Sequence, residues 1–361
     1  MDVTLFKKIS SFFKKENRVL GIDIGTSSIK IVQLIKEKER AVLETYGELA
    51  TGPYAKLGVG HAVKLQEDVL ASAIKDLLKE ANITAKKAVV SIPLSSCFVT
   101  TINLPFNSES GLEEIIQLEA RRYIPVPISE VVLDWWVLPQ ETAKNEQQKK
   151  SVIQVLLVAI HKDVIDSYKK IISESGLEAV AYEIESFSAI RSSLGRENTA
   201  TALLDFGALT TKLSIVDYGV MKSSYSINHG SQELTTAISQ SLGIDFSRAE
   251  EMKREIGLSD LPEHRDVNAI FEPVLNYIFS EVNRFIKDYQ NKNNRSVGKV
   301  VMAGGGSSLM GLIDFSIKSF TIEVVLADPF IKVDYPVILS EVLKKVGVNF
   351  SVALGLALRN L

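Results

Sequence analysis

The sequence predicts an α/β protein of two similar lobes, with a smaller unit inserted in the first. Three observations predict this. An Asp-x-Gly turn occurs twice in the same register, strand-like apolar runs alternate with helical periodicity, and a further run of alternating elements separates the two turns. The first turn reads Leu20-Gly21-Ile22-Asp23-Ile24-Gly25-Thr26-Ser27-Ser28-Ile29-Lys30. The second reads Leu203-Leu204-Asp205-Phe206-Gly207-Ala208-Leu209-Thr210-Thr211-Lys212. Asp23 to Asp205, Gly25 to Gly207 and Lys30 to Lys212 are each 182 positions apart, about half of the 361-residue chain. A repeat of this size predicts one site made by two facing lobes.

In chain order, the first segment places Leu5, Phe6, Ile9, Phe12 and Phe13 at helical spacing with Lys7, Lys8, Lys14 and Lys15 between them. This pattern fits a helix lying on an anionic membrane or one docked on the protein's own body. Strands follow near 19–25, 28–35 and 41–49, then an exposed stretch carrying Gly52-Pro53, Gly58 and Gly60, a helix over 66–80 and a strand ending at Pro93. From Ser95 the pattern is strand 97–104, helix 109–123, strand 130–138, a polar gap over 141–150, strand 152–160, helix 162–175 and strand 178–183. This reads as a β-α-β-β-α-β unit of its own, with the Gln147-Gln148-Lys149-Lys150 run as a solvated hairpin tip. The second lobe opens at the Asp205 turn and becomes helical over 231–242, 246–256 and about 266–291. In the last of these, Phe271, Leu275, Ile278, Val282 and Ile286 keep an apolar stripe, with Pro273 near the first turns. A final strand over 299–303 runs into Gly304-Gly305-Gly306-Ser307-Ser308.

Composition narrows the classes of function. The chain is 46% apolar and 24% charged, with 41 basic against 44 acidic residues and a net charge of −3. No basic stripe with interleaved aromatics appears, which argues against nucleic acid as a partner. Cys97 is the single cysteine; it cannot form an internal disulfide and reads as a structural thiol of a reducing compartment. His61, His161, His229 and His264 are too scattered to suggest zinc. No secretory signal or membrane-spanning run is expected.

The chemistry follows from the turns. Gly25 and Gly207 let the backbone approach a ligand, the amides and the hydroxyls of Thr26, Ser27, Ser28, Thr210 and Thr211 suit phosphate oxygens, and Asp23 and Asp205 suit a hydrated magnesium ion. Gly304, Gly305 and Gly306 leave a flat surface for a planar base or a ribose. Glu250 and Lys253 stand three apart on one helix face.

Together these elements resemble the ATPase superfamily of actin, Hsp70 and the sugar kinases, and within it the bacterial FtsA and MreB branch. The resemblance implies an actin-like, ribonuclease H-like duplicated fold with an FtsA-type inserted subdomain, and it implies ATP and Mg as cofactors. On it, 23–30 and 205–212 are the phosphate motifs, with Lys30 and Lys212 at the phosphates; the helix with Glu250 and Lys253 contacts ribose; and 303–309, including Ser307, is the adenosine motif. Glu185 stands where such ATPases orient an attacking water, although an acid at a helix N-terminus explains it equally. Gly230-Ser231 departs from the pair of glycines that relatives show, which leaves the role of Gly230 at the second phosphate turn less defined. The expected divisions are an amphipathic segment over 1–17, subdomain IA over 18–94 and 181–198, an inserted subdomain IC over 95–180, subdomain IIA over 199–229 and 296–361, and subdomain IIB over 230–295.

The chain also resembles the PilM family of type IV pilus assembly proteins, through Val90-Ser91-Ile92-Pro93, Leu104-Pro105, Glu119-Ala120-Arg121-Arg122-Tyr123-Ile124-Pro125, Val155-Leu156-Leu157-Val158-Ala159, Asp328-Pro329-Phe330 and Val352-Ala353-Leu354-Gly355-Leu356-Ala357-Leu358-Arg359. That resemblance implies a cytoplasmic scaffold, peripheral to the inner membrane, which binds ATP and captures the cytoplasmic N-terminal peptide of a PilN-like membrane protein beside residues 95–180. Other pilus-assembly components and self-association are further implied partners. A filament-forming FtsA-like or MreB-like protein and a sugar-kinase-like enzyme remain the alternatives.

Overall fold

The computed structural model describes residues 18–105, 112–138, 152–195, 197 and 199–361. The amphipathic segment 1–17, the start of the helix expected from 109 and the polar gap 141–150 lie outside the described residues. The first half contains β1 (Arg18–Ile24), β2 (Ser28–Glu37), β3 (Arg40–Ala50), α1 (Glu67–Glu80), β4 (Lys87–Ile92), β5 (Cys97–Pro105), α2 (Leu112–Ala120), β6 (Val131–Val137), β7 (Val152–His161), α3 (Lys162–Glu174), β8 (Glu178–Ile184) and α4 (Glu185–Ser193). The second contains β9 (Ala200–Phe206), β10 (Thr211–Asp217), β11 (Val220–Ile227), α5 (Ser231–Leu242), α6 (Phe246–Ile256), α7 (Arg265–Asn293), β12 (Val297–Ala303), α8 (Leu312–Ser319), β13 (Glu323–Leu326), α9 (Ser340–Val346) and α10 (Ser351–Ala357).

The duplication read from the two turns is a duplication of sheet topology. One five-stranded sheet has the order β3-β2-β1-β4-β8 and the other β11-β10-β9-β12-β13, so in each the first hairpin of the lobe leads and two parallel strands follow. Both central strands are covered on two faces, which is why they read as nearly unbroken apolar runs. Alternation along each strand separates the faces. Leu20 and Ile22 of β1 pack with α1 and with Ile171 and Ile172 of α3, while Ala202, Leu204 and Phe206 of β9 pack with α5, α7 and α8. The opposite faces meet in the middle, where Val89, Ala181, Ala189, Leu203, Val301, Val352 and Leu356 form one cluster drawn from both lobes.

Helices α4 and α10 lie in that middle layer, packed on each other. Each leaves one lobe and reaches the strands of the other: α4 follows β8 and touches β10 and β12, and α10 ends the second lobe and packs on β1, β2 and β4. Their approach is close enough that a Cβ at Gly355 would sit on the Ser188 carbonyl, and α10 lies so near β1 that a Cβ at Gly21 would sit on the Ala353 carbonyl. Gly355→Ala therefore forces two helices apart at the joint between lobes. We expect it to lower stability by about 1–3 kcal/mol or more, measured by urea unfolding, with a wild-type midpoint contradicting the packing argument.

Two expectations change. The run over 95–180 is not one self-contained unit. A three-stranded sheet of order β5-β7-β6 stands alone over α2, but β8 hydrogen-bonds in parallel to β4 and α3 packs against α1, so the inserted unit closes at β7 and its last helix and strand belong to the first lobe. The pattern showed a strand at 178–183 but not its pairing partner. The stretch after β3 is also not simply exposed: it crosses to the second lobe, where the His61 ring lies 3.7 Å from that of Phe246. Pro273 sits within the interior of α7, in its third turn.

Candidate functional site

The two hairpins face each other across a cleft of about 790 Å³ between the lobes. Their internal geometry matches. Asp23 pairs with Lys30 across β1 and β2, and Asp205 with Lys212 across β9 and β10. The Gly25 amide donates to the Ser28 carbonyl at 3.1 Å, and the Gly207 amide to that of Thr210 at 3.1 Å. Antiparallel pairing thus brings an Asp at the end of one strand beside a Lys at the start of the next, with the turn projecting between them.

The first hairpin carries Asp23, Gly25, Thr26, Ser27, Ser28 and Lys30 to the cleft wall. Lys30 donates to the Ser28 hydroxyl at 2.7 Å, which donates to Glu48 at 2.7 Å. Asp23 is buried and accepts from the Ser91 hydroxyl at 3.1 Å. Burial pushes its carboxyl up to about 6 and the nearby Glu185 and Asp205 charges act in the same direction, against Lys30 and Lys212. Such a carboxylate is short of positive charge, the condition that a hydrated magnesium ion relieves.

The second hairpin brings Asp205, Gly207, Thr210 and Lys212 to the same cleft. Thr211 turns away, its hydroxyl donating to the His229 carbonyl. Glu185, the first residue of α4, joins the lobes: one oxygen accepts from the Leu94 amide at 2.7 Å and the other from the Lys212 ammonium at 2.7 Å. Lys212 also lies 3.5 Å from Asp205. Burial alone would lower the Lys212 ammonium, but Glu185, Asp205 and Asp23 outweigh it and hold it above its ordinary value.

Gly230 is the N-cap residue of α5 and does not line the cleft; the Ser231 and Gln232 amides that follow donate to the Gly207 and Ala208 carbonyls at 2.9 Å each, tying α5 to the second turn. Farther along, Glu250 and Lys253 form an ion pair of 2.7 Å, with Thr235 donating to Glu250 at 2.6 Å. Burial would raise the Glu250 carboxyl, yet Lys253, Thr235 and Arg254 bring it below its usual range. Gly304, Gly305 and Gly306 line the cleft between the second hairpin and the start of α10, the Gly304 amide donating to the Val348 carbonyl at 3.0 Å. Ser307 faces inward and donates to the Ala303 carbonyl at 2.6 Å.

Reading the sequence missed Ser91, Glu48, Thr235 and Asn349. Ser91 is the polar residue in the otherwise apolar, buried run 88–92 of β4, and that contrast was a usable signal. Asn349 lines the cleft with its side-chain oxygen buried and unpaired among the described residues; an isolated Asn before a helix gives no such signal.

Two like lobes, each presenting an Asp-Gly hairpin to a shared cleft over a pair of crossing helices, define the actin-like class. Solved structures agree: MreB5 of Spiroplasma citri bound to ADP superposes with a TM-score of 0.54 at 11% identity, covering 95% of each chain, a likeness of fold. The PilM-PilN type IV pilus biogenesis complex superposes with a TM-score of 0.79 at 26% identity over 94% of this chain and 98% of that one. Cell division protein FtsA of Enterococcus faecalis is 22% identical over 356 residues, covering 87% of this chain and 79% of FtsA. The chain belongs to the type IV pilus assembly protein PilM family, whose sequence model matches residues 21–361.

Proposed function

We propose that this protein is an ATP-binding scaffold of type IV pilus assembly that holds the cytoplasmic N-terminal peptide of a PilN-like inner-membrane protein. The observation that carries the nucleotide half is the matched pair of hairpins across one cleft. The turn amides of both hairpins, with Thr26, Ser27 and Thr210, meet the phosphates, and Asp23 and Asp205 hold magnesium through water. When bound there, the ion would supply positive charge to the phosphates, and Asp23 and Asp205, which line the same cleft, are the residues that would hold it. Glu250 and Lys253 face the ribose, and Gly304 to Gly306 lie along the adenosine. A nucleotide gripped by both lobes biases the angle between them, so ATP acts here chiefly as a switch. Glu185 has both oxygens engaged, which favours a bridging role over that of a water-orienting residue; hydrolysis, when it occurs, is positioning and charge stabilisation of an in-line water.

The partner half rests on a second cavity, of about 780 Å³, between the free face of the inserted sheet, β8 and α4. Val132, Trp136, Leu156, Val158, Ile160 and Phe187 make it apolar. The Tyr182 hydroxyl inside it is buried without a hydrogen-bond partner among the described residues. A short peptide with apolar anchors and a polar group for Tyr182 suits this groove. No described helix is long and apolar enough to cross a membrane, and attachment through a membrane-anchored PilN-like partner fits a site of action at the inner-membrane face.

The test is calorimetric titration with a synthetic N-terminal peptide of a PilN-type protein. Trp136→Ala is expected to weaken binding by at least about 10-fold, as loss of an aromatic anchor does; wild-type affinity in that variant would remove the groove assignment. Binding strengthened by magnesium-ATP supports the switch, because linkage makes the two sites reciprocal.

A further inference from the structure

The segment from Thr51 to Gln66, where the chain leaves β3 on its way to α1, spans the mouth of the nucleotide cleft. At both ends it is tied to the first phosphate turn: the Thr51 amide donates to the Ser27 carbonyl at 3.0 Å and the Val63 amide to the Thr26 carbonyl at 2.9 Å, and the Thr51 hydroxyl donates to Thr26 as well, at 2.7 Å. Its middle rests on the other lobe. The His61 ring packs at a tilt against Phe246 at the start of α6, the Ala62 amide donates to the Gln232 side chain of α5 at 2.5 Å, and Gly60 lies directly over the Glu250 carboxylate. Gly60 has φ +94, and a Cβ there would come within 2.6 Å of the Glu250 Cδ. Val59 and Gly60 form part of the cleft wall.

The attachments differ in kind. On its own lobe the segment is held by backbone hydrogen bonds to the turn that meets phosphate. On the opposite lobe it is held by one ring contact, one hydrogen bond to a long side chain and close packing of glycines. The weak side is therefore the one that can release, and releasing it uncovers the Glu250–Lys253 pair. We propose that residues 51–66 are a strap that gates the cleft: it opens at His61 and Ala62 to admit and release nucleotide, and when closed it links the first phosphate turn to α5 and α6. This gate rests on the nucleotide reading above.

The test uses the full chain with Cys97→Ser, His61→Cys and Phe246→Cys, a short bifunctional thiol cross-linker and a fluorescent ATP analogue with magnesium. Before cross-linking, the analogue exchanges freely. Cross-linking the empty protein is expected to slow association, and cross-linking the loaded protein to slow release, each by at least about 10-fold, as for a closed lid. Cross-linked protein that exchanges as fast as the free form overturns the gate. His61→Ala alone, which leaves the phosphate turns intact, is expected to speed both association and release; unchanged rates would also overturn it. Failure of the wild-type chain to bind the analogue overturns the nucleotide reading instead, and the gate falls with it.

Discussion

Asp23→Asn weakens magnesium-ATP binding by about 100-fold and at the same time raises the melting temperature of the ligand-free protein. The two effects share one cause. Burial holds the Asp23 carboxyl at about 6 against an ordinary value of 3.8, so the native state binds this proton more tightly than the unfolded chain does. Stability from this group is fully present below the unfolded value, is lost as pH rises from about 4 through 6, and stays lost at pH 7.5. The shift of 6 minus 3.8 corresponds to at most about 3 kcal/mol at 1.36 kcal/mol per unit. Asparagine removes the charge and with it that loss, so the variant gains a few degrees at pH 7.5 and nothing at pH 3.5. It also removes the charge that an outer-sphere magnesium ion needs, weakening nucleotide by about 100-fold. Differential scanning fluorimetry at the two pH values and a calorimetric titration check both halves. Unchanged affinity would take Asp23 out of the site, and a lower melting temperature at pH 7.5 would mean that its charge is better compensated than its burial implies. The same titration in wild-type protein should weaken below pH 6, as Asp23 takes up its proton.

Lys212→Met should be the most destabilising single change in the cleft. Lys212 and Glu185 are 16% and 10% exposed and 2.7 Å apart, and Asp205 is 3.5 Å away. Removing the ammonium leaves Glu185, Asp205 and Asp23 facing one another with Lys30 as the remaining cation among the groups that act on Asp23. Breaking a buried pair by deleting one partner costs about 3–5 kcal/mol, because the other charge stays buried and uncompensated. Glu185→Gln should cost less, since Lys212 keeps Asp205, and the Lys212→Met, Glu185→Gln double variant should recover part of the loss. Urea unfolding measures all three. A Lys212→Met protein as stable as wild type would contradict the picture of an ion pair fastening the two lobes.

The difference between what the sequence disclosed and what it withheld is physical. The Asp23 and Asp205 turns were legible because their determinants are local: a hairpin needs its apolar strands, its Gly and its polar turn within about a dozen residues, and the repeat fixed their equivalence. The long apolar stripe of α7 was legible for the same reason. Pairing across distance was not. Nothing in Glu178–Ile184 says that it lies beside β4 and not beside the inserted sheet, so the inserted unit was drawn too long. Helix α10 is a run of small and aliphatic residues whose meaning, a close crossing with α4, exists only in three dimensions. The strap was misread because Gly52-Pro53, Gly58 and Gly60 are signs of a turn, and the same glycines that suit a solvent loop also let a chain lie flat against Glu250 and Ser247. Thr211 was chosen for its hydroxyl and Ser307 as part of the 303–309 motif, and a sequence does not say that their hydroxyls are spent on the His229 and Ala303 carbonyls.

The central claim is that two hairpins from opposite lobes grip one nucleotide. Amide hydrogen exchange of the full chain with and without magnesium-ATP tests it most directly. The account predicts that ATP slows exchange in both turns together, 24–28 and 206–210, along with 304–306. Protection confined to one turn, or none in either, would contradict a shared clamp.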